Sequence, residues 1–129
     1  FERYISQLTN EAKEFEKDKN LSLFAQKFLK YLELLNNFTL WLGEKNKTSK
    51  DDVSAACNDY LKVLGYIGLA HSWLKILKVS HEKINNNKSF FEDKINTATY
   101  YFDKILPRVQ SHYLSAITGS QTLMKSNFN

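Results

Sequence analysis

The stretch YYFDKILPRVQSHYLSAITGSQTLM, from Tyr100 to Met124, carries the strongest fold signal in the sequence. Its apolar residues recur every three or four positions, which is typical of one face of an α-helix. Pro107, the only proline of the chain, lies in the middle of this pattern. A proline inside a helix removes one backbone hydrogen bond and bends the helix. Because the apolar phase continues past Pro107, we predict one helix from about Phe90 to Ile117 with a kink at the proline.

Two further features concern how this helix is divided and where it ends. The alternative to a kink is a break in which Leu106 is extended and Pro107 opens a new helix, since proline is favoured in a first turn. Gly119 is predicted to end the helix, because glycine is favoured just past a helix C-terminus. The residues after Gly119 are predicted to form a short helical tail.

Three amphipathic segments precede this helix. The spacing of apolar residues predicts helix 1 over Phe1–Phe15, helix 2 from about Leu21 to Lys45, and helix 3 from Ser49 onward. No segment alternates with the period of two that a half-buried strand shows. Four helices joined by short polar loops predict an all-α, up-down-up-down four-helix bundle, with residues 1–129 as a single domain.

Polar residues at the expected positions predict where these helices begin and end. Gly43 and the polar stretch NKTSK after it are predicted to end helix 2. A Ser, Asn or Asp side chain can accept a hydrogen bond from a free backbone N–H in the first turn of a helix. The predicted caps are Asn20 for helix 2, Ser49 with Asp52 for helix 3, and Ser89 with Glu92 for helix 4.

Helix 3 has more apolar surface than one core contact requires. Its main stripe, predicted to face the core, is Ala56, Tyr60, Val63, Ile67, Ala70, Leu74, Leu77 and Ile84. A second stripe, Tyr66, Leu69, Trp73 and Ile76, lies about 100° further round the helix. We predict that this second stripe is a docking face with Trp73 as its anchor, because large apolar patches usually mark contacts with other proteins. The alternative is that helix 1 covers the stripe within the bundle.

Gly65 and Gly68 form a third, small face of helix 3. A glycine inside a helix costs up to about 1 kcal/mol relative to alanine. We predict a structural role for both glycines, in which the close approach of a neighbouring backbone offsets that cost.

The sequence has no recognisable catalytic constellation. Its one cysteine, Cys57, excludes a disulfide within the chain and a cysteine-based zinc site, and is predicted to be a small buried residue. His71 is predicted to be a core or interface histidine, and His81 and His112 show no metal-ligand spacing. No catalytic, cofactor-binding or metal-binding residue is therefore assigned.

Charge and hydropathy limit the partners that we expect. The net charge of +4 comes from lysines spread along the chain, with only two arginines, which argues against nucleic-acid recognition. No apolar run reaches the length of a membrane span, and we expect no membrane contact. The alternative is a membrane-surface helix, which Lys75, Lys78 and Lys83 near apolar residues would permit. The chain begins at Phe1 rather than at methionine, which indicates a segment of a longer protein. We expect that protein to be cytoplasmic.

Two segments resemble one known family. YLKVLGYIGLAHSWLKI, from Tyr60 to Ile76, and YFDKILPRVQSHYLSAITGSQTLM, from Tyr101 to Met124, resemble the central and last helices of the acetyl-CoA dehydrogenase C-terminal-like domain. The resemblance covers roughly the second half of the chain. Departures are Ala70 at a family glycine, and Lys78, Ser80 and His81 where the family has small residues. The matching residues are Tyr60-Leu61, Leu64-Gly65, Phe102, Leu106-Pro107, Ile117, Gly119 and Leu123-Met124.

The resemblance implies a role within a larger enzyme. The family's parents are acyl-CoA dehydrogenases, FAD flavoproteins that oxidise acyl-CoA to trans-2-enoyl-CoA. The flavin and the catalytic glutamate belong to the dehydrogenase core, so the resemblance assigns no catalytic or cofactor-binding residue to these 129 residues. It implies a C-terminal structural and docking domain whose partners are the core of the same chain and, in a homo-oligomer, other subunits. The alternative is a stand-alone helical module that binds an amphipathic partner helix.

Overall fold

The computed structural model describes the backbone of residues 1–127 and the side chains of residues 1–118. Five α-helices and one π-helical turn make up this part of the chain. Their bounds are α1, Glu2–Glu16; α2, Ser22–Thr48; α3, Lys50–Glu82; α4, Lys88–Tyr100; the π turn, Tyr101–Ile105; and α5, Arg108–Asn127. No strand occurs within residues 1–127, and the predicted all-α fold is confirmed.

The contacts between helices give an up-down-up-down bundle. Along α2 and α3 the partner numbers run in opposite directions, from Phe28 beside His71 to Lys45 beside Asp52, so the two helices are antiparallel. The last helical region, which comprises α4, the π turn and α5, runs parallel to α2, with Lys27 beside Asp103 and, further along, Phe38 beside Tyr113. The predicted bundle topology is confirmed.

The core lies where the apolar spacing of the sequence predicts it, along the main stripe of α3 and a stripe of α2 made of Phe24, Phe28, Tyr31, Leu35, Phe38 and Leu42. Phe28, Leu35 and Phe38 of α2 are fully buried, as are Ile67 and Leu74 of α3. Aromatic packing extends the core toward the last helix, with the ring centroids of Phe38 and Tyr113 5.5 Å apart. Phe24 packs edge-on against Phe102 at 5.3 Å. The buried side chains therefore join α2, α3 and the last helical region into one core.

One of the three predicted N-caps is confirmed. The Ser49 hydroxyl accepts a hydrogen bond from the Asp52 backbone N–H at 3.3 Å, and α3 begins directly after Ser49. The other two predictions are wrong. Asn20 donates its backbone N–H to Asp18 Oδ1 within the loop, and Leu21 takes the cap position of α2 with no side-chain bond. Asn87 rather than Ser89 caps α4.

Asn87 begins α4 two residues earlier than the sequence analysis predicts. Its Oδ1 accepts a hydrogen bond from the Phe90 backbone N–H at 3.2 Å. Asparagine is as good an N-cap as serine, and the loop carries three successive asparagines, so the Ser89 and Glu92 pattern did not decide the start.

The backbone around Pro107 is helical but not regular. Leu106, the residue before the proline, has helical backbone angles (φ −57°, ψ −37°) rather than the extended ones of the alternative prediction. Its N–H bonds to the carbonyl of Tyr101, five residues back, at 2.8 Å, which closes the π turn. A new helix, α5, then begins at Arg108. Both proline and π turns bend helices, so a kink at this place remains our prediction.

The π turn changes which residue enters the core. The apolar spacing of the last helix predicts a core stripe of Phe91, Ile95, Ala98, Phe102, Ile105, Val109 and Ala116. Of the adjacent pair Ile105 and Leu106, however, Leu106 is fully buried and Ile105 only partly. A π turn holds more residues than an α-turn, so at this turn the core position falls on Leu106 instead of Ile105, whereas Val109 and Ala116 further along are buried as the stripe predicts. The apolar pattern alone cannot show such a shift, because Ile105 and Leu106 are both apolar and adjacent.

Two glycines that were predicted to end helices do not. Helix α2 continues through Gly43 to Thr48, and α5 continues through Gly119 to Asn127. The side chains of the residues from 119 onward lie outside the described part, and so does the predicted role of the Leu123-Met124 pair. Glycine favours a helix end but does not impose one, because its cost inside a helix is only about 1 kcal/mol relative to alanine.

Candidate docking surface

The four residues of the predicted docking face divide into two pairs. Tyr66 and Trp73 are partly buried and pack against the core, while Leu69 and Ile76 are exposed. Because of the α-helical period, Tyr66 and Trp73 lie on the side of α3 that meets the last helical region. The exposed pair lies further round the helix.

Tyr66 and Trp73 meet the last helical region through aromatic contacts. The Tyr66 ring stacks on His112 with centroids 5.8 Å apart, and the Tyr66 carbonyl accepts a hydrogen bond from the Tyr101 hydroxyl at 2.6 Å. The Trp73 ring lies 6.4 Å from that of Tyr101. Helix α1 does not cover this stripe: its α3 contacts, at His71 and Lys78, are on another side of the helix.

The exposed apolar residues of α3 form a continuous face. Leu61 is 66% exposed and Leu69 55%, and Val79 is exposed beside Ile76. We call the set Leu61, Gly65, Gly68, Leu69, Ser72, Ile76 and Val79 the outward face of α3. In most bundles the outward face of a helix is polar or charged, because it meets water.

The two glycines of the outward face have no close neighbour. A Cβ added at Gly65 or Gly68 would meet no heavy atom within 4 Å among the described residues. No backbone of the described bundle therefore approaches the two glycines, and their structural role through a neighbouring backbone stays a prediction. Nothing within residues 1–118 offsets the helix-propensity cost of these glycines.

A groove between α3 and α4 continues the outward face at its C-terminal end. It has a volume of about 300 Å³ and is lined by Ile76, Val79, Phe90 and Phe91, with Ser80 and the stems of two lysines, Lys75 and Lys94. The Lys94 ammonium lies 5.4 Å from the centre of the Phe90 ring. No acidic residue lines the groove. Val79 and Phe90 belong to none of the stripes predicted from the sequence. The available signal was that both are large apolar residues outside those stripes.

Two histidine–carboxylate pairs tie helices together. His71 Nε2 donates to Glu11 Oε2 and joins α3 to α1, as predicted for an interface histidine. This bond is the main cause that lowers the pKa of Glu11, with a weaker one from Gln7. His112 Nδ1 lies 2.7 Å from Asp59 Oδ1 and joins α5 to α3.

The described side chains offer little chemistry beyond these structural contacts. Within residues 1–118, no three His, Cys, Asp or Glu side chains converge in a way that could hold a metal ion. Cys57 is exposed on α3, so the prediction that it is buried is wrong. Cys57 lies at the edge of the outward face. The spacing of apolar residues in the sequence does not show that this part of α3 is exposed. No helix within the described residues is long and apolar enough to cross a membrane.

Comparison with family models gives one match that fits this arrangement. The model described as "Acetyl-CoA dehydrogenase C-terminal like" matches residues 8–127. The chain belongs to this acetyl-CoA dehydrogenase C-terminal-like family. The match includes α2 and most of α1, whereas the sequence resemblance covered only the second half. No curated protein and no solved structure matches the chain.

The features of this acetyl-CoA dehydrogenase C-terminal-like domain that stand out are surfaces rather than a reaction centre. The outward face of α3 and the groove beside Phe90 are both apolar and uncovered within the described part of the domain. Gly65 lies in a segment that carried the resemblance, at the centre of that face. The Leu106-Pro107 pair adjoins the π turn, whose Tyr101 holds α3 through the Tyr66 carbonyl.

Proposed function

We propose that this chain is the C-terminal helical domain of an FAD-dependent acyl-CoA dehydrogenase and has a structural and docking role. The observation that carries the docking role is the uncovered apolar face of α3. A soluble domain rarely exposes a continuous apolar face along one helix unless another protein surface meets it. The family match supports the dehydrogenase core as the protein that meets this face.

The proposal places the chemistry in the parent enzyme. A glutamate of the core would take the α-proton of the acyl-CoA, and FAD bound by the core would supply the hydride acceptor for formation of the trans-2-enoyl-CoA. No residue of this chain is given a part in that reaction. The domain would instead hold the position of the core or of a neighbouring subunit, in a cytoplasmic enzyme that is a homo-oligomer.

Purification of the complete gene product alongside residues 1–129 tests the proposal. We expect flavin absorbance and acyl-CoA-dependent dye reduction from the complete product. We expect neither from residues 1–129 alone. Flavin bound to residues 1–129, or dye reduction by them, would contradict the assignment of all chemistry to the core.

The sequence of the complete gene product separates this proposal from its alternative. If no dehydrogenase region accompanies the domain and the product binds no flavin, the proposal is wrong and a stand-alone interaction module is favoured. The exposed apolar face is compatible with that alternative, but the family match favours the enzyme.

A further inference from the structure

The outward face of α3 is free of acidic residues and is bordered by lysines. Residues 60–81 contain no Asp or Glu, so the face has no negative charge over 22 successive positions. The helical period of 100° per residue places Lys62 and Lys75 on opposite edges of the face, and Lys83 follows the last residue of α3 beyond its C-terminal end. Lys94 of α4 borders the groove at its end.

These four lysines are available to a partner. All four are exposed, and none forms an ion pair within 4.0 Å in the part of the chain whose side chains are described. The charge of Lys75 also lowers the pKa of Glu11, as the smallest of its causes. The outward face of α3 is therefore an apolar surface bordered by positive charges.

The small residues of the face define the shape of what could meet it. Gly65, Gly68 and Ser72 leave a shallow depression at the middle of α3, since no atom lies within 4 Å of where the glycine side chains would begin. Small residues at this spacing let a second helix approach closely, backbone to backbone. A partner with a flat or deformable surface would make no additional contacts at these small residues.

We propose that the outward face of α3 and its groove bind an amphipathic helix whose apolar stripe is flanked by Asp and Glu. The apolar stripe of the partner helix would pack on the outward face of α3 from Leu61 to Val79. Its flanking carboxylates would pair with Lys62, Lys75, Lys83 and Lys94. The inference deepens the docking role proposed above and rests on it for one point, that the helix belongs to the dehydrogenase core.

The charge pattern argues against a second copy of this chain as the occupant. Two α3 helices packed antiparallel through their small residues would place Gly65 opposite Ser72. Residues 60–81 contain no Asp or Glu, so the lysines that border the face in one copy would meet no carboxylate from the α3 of the other. Complementary interfaces place charges of opposite sign together.

Carbodiimide cross-linking of the complete gene product tests the proposal directly. This reagent joins a lysine amine to a carboxylate only when the two already touch. Mass spectrometry should find Lys75 or Lys94 joined to an Asp or Glu on a helical segment outside residues 1–129. The yield should fall when salt is raised from about 0.1 M to 1 M, because the screening length shortens from about 10 Å to 3 Å.

A pair of glycine variants separates docking from folding. Gly68→Leu fills the depression, and we expect the cross-link yield to fall by about tenfold or more. Gly43→Leu is the matched control, because Gly43 is also in a helix with nothing within 4 Å but lies on α2. Both variants should keep the wild-type circular dichroism, and Gly43→Leu should keep the cross-links.

The other outcomes contradict the proposal in distinguishable ways. Cross-links from these lysines only to acids within residues 1–129 would show that no acidic helix docks there. Cross-links between isotopically distinct copies, in the absence of links to another segment, would identify a dimer. Absence of cross-links together with co-sedimentation on phosphatidylserine vesicles, but not on phosphatidylcholine vesicles, would identify a membrane surface.

The same data separate this inference from the proposed function. Links to an acidic helix of a different protein would support the inference and contradict the placement of the partner in the dehydrogenase core. A gene product that contains a flavin-loaded core but shows no links from Lys75 or Lys94 would support the proposed function and overturn the inference.

Discussion

At the scale of single residues, the Glu11–His71 pair is the main polar link between α1 and α3. Helix α1 packs chiefly on α2, so this pair and the contact of Lys78 with the Phe15 ring hold it beside α3. The pair could not be predicted from the sequence, because 60 positions separate its members and neither residue belongs to a motif. The prediction that His71 is an interface histidine followed only from its place on an apolar helix.

Acid should weaken this link. The hydrogen bond from His71 holds the pKa of Glu11 below its ordinary value of 4.5. The unfolded chain therefore takes up a proton on Glu11 more readily than the folded chain does. The stabilisation from Glu11 should be complete above about pH 5 and should be lost as the pH falls through the lowered pKa. Urea unfolding followed between pH 7 and pH 3 measures the loss.

Two carboxylate variants isolate the effect. Glu11→Gln should flatten the decline in unfolding free energy at acid pH. Glu14→Gln is the control, because Glu14 pairs with Lys17 on the exposed surface of the same helix. The idea is wrong if the two variants change the acid profile equally.

Tyr101 should give the opposite dependence at high pH. Burial, and then the proximity of Tyr66, raise the pKa of the Tyr101 phenol above its ordinary value of 10.0. The protonated phenol is thus favoured in the folded chain, so its stabilisation is complete below pH 10 and is lost as the pH rises beyond that. Tyr101→Phe should cost about 1 kcal/mol at neutral pH through the lost bond to Tyr66. It should also reduce the alkaline loss, which thermal unfolding at pH 8 and pH 11 can follow.

At the scale of the elements, the π turn is the feature that the sequence did not predict. The stripes on α2 and α3 predicted the buried residues well, because a regular helix keeps one period throughout. The last helix changes its period once, at Tyr101–Ile105. A shift of the core position by one residue cannot be read from the sequence where two adjacent residues are both apolar, as Ile105 and Leu106 are.

Truncation of the two neighbours tests the shift. Leu106→Ala should cost about 2–5 kcal/mol of unfolding free energy, because Leu106 is fully buried. Ile105→Ala should cost clearly less, because Ile105 is only partly buried. Chemical denaturation of both variants gives the comparison. Equal costs, or a larger cost for Ile105→Ala, would mean that the core follows the simple sequence period.

At the scale of the whole molecule, bundle topology follows from the sequence but the division of α3 between core and surface does not. Short loops between long helices require antiparallel neighbours, whatever the details of packing. Which side of α3 stays uncovered depends on where α1 and α4 settle. Those positions are set by contacts such as Trp73 with Tyr101, between residues 28 positions apart.

Two substitutions on the predicted docking face should therefore behave differently. Ile76→Ser removes exposed apolar surface and should change the melting of the domain little, by about 0.5 kcal/mol or less. It should nevertheless weaken docking to the core. Trp73→Ala should weaken docking by about 2 kcal/mol or more if Trp73 is the anchor.

Thermal melting of residues 1–129 beside an affinity measurement in the complete protein distinguishes the two roles. Trp73 also packs against Tyr101, so some loss of melting temperature is expected from its truncation. Unfolding of the isolated domain by Trp73→Ala, with docking unchanged by Ile76→Ser, would show that the predicted face belongs to the core alone.

The one-residue connection at Ser49 has a consequence for how this domain can change over evolution. Helix α2 ends at Thr48 and α3 begins at Lys50, so the single connecting residue cannot accommodate an insertion without a change in one of the helices. An inserted residue there would lengthen one of the helices and turn it by about 100° relative to the other. The face that α3 turns outward would then rotate away from any partner. Insertions and deletions among relatives should thus gather at residues 17–21 and 83–87, and be rare at Ser49.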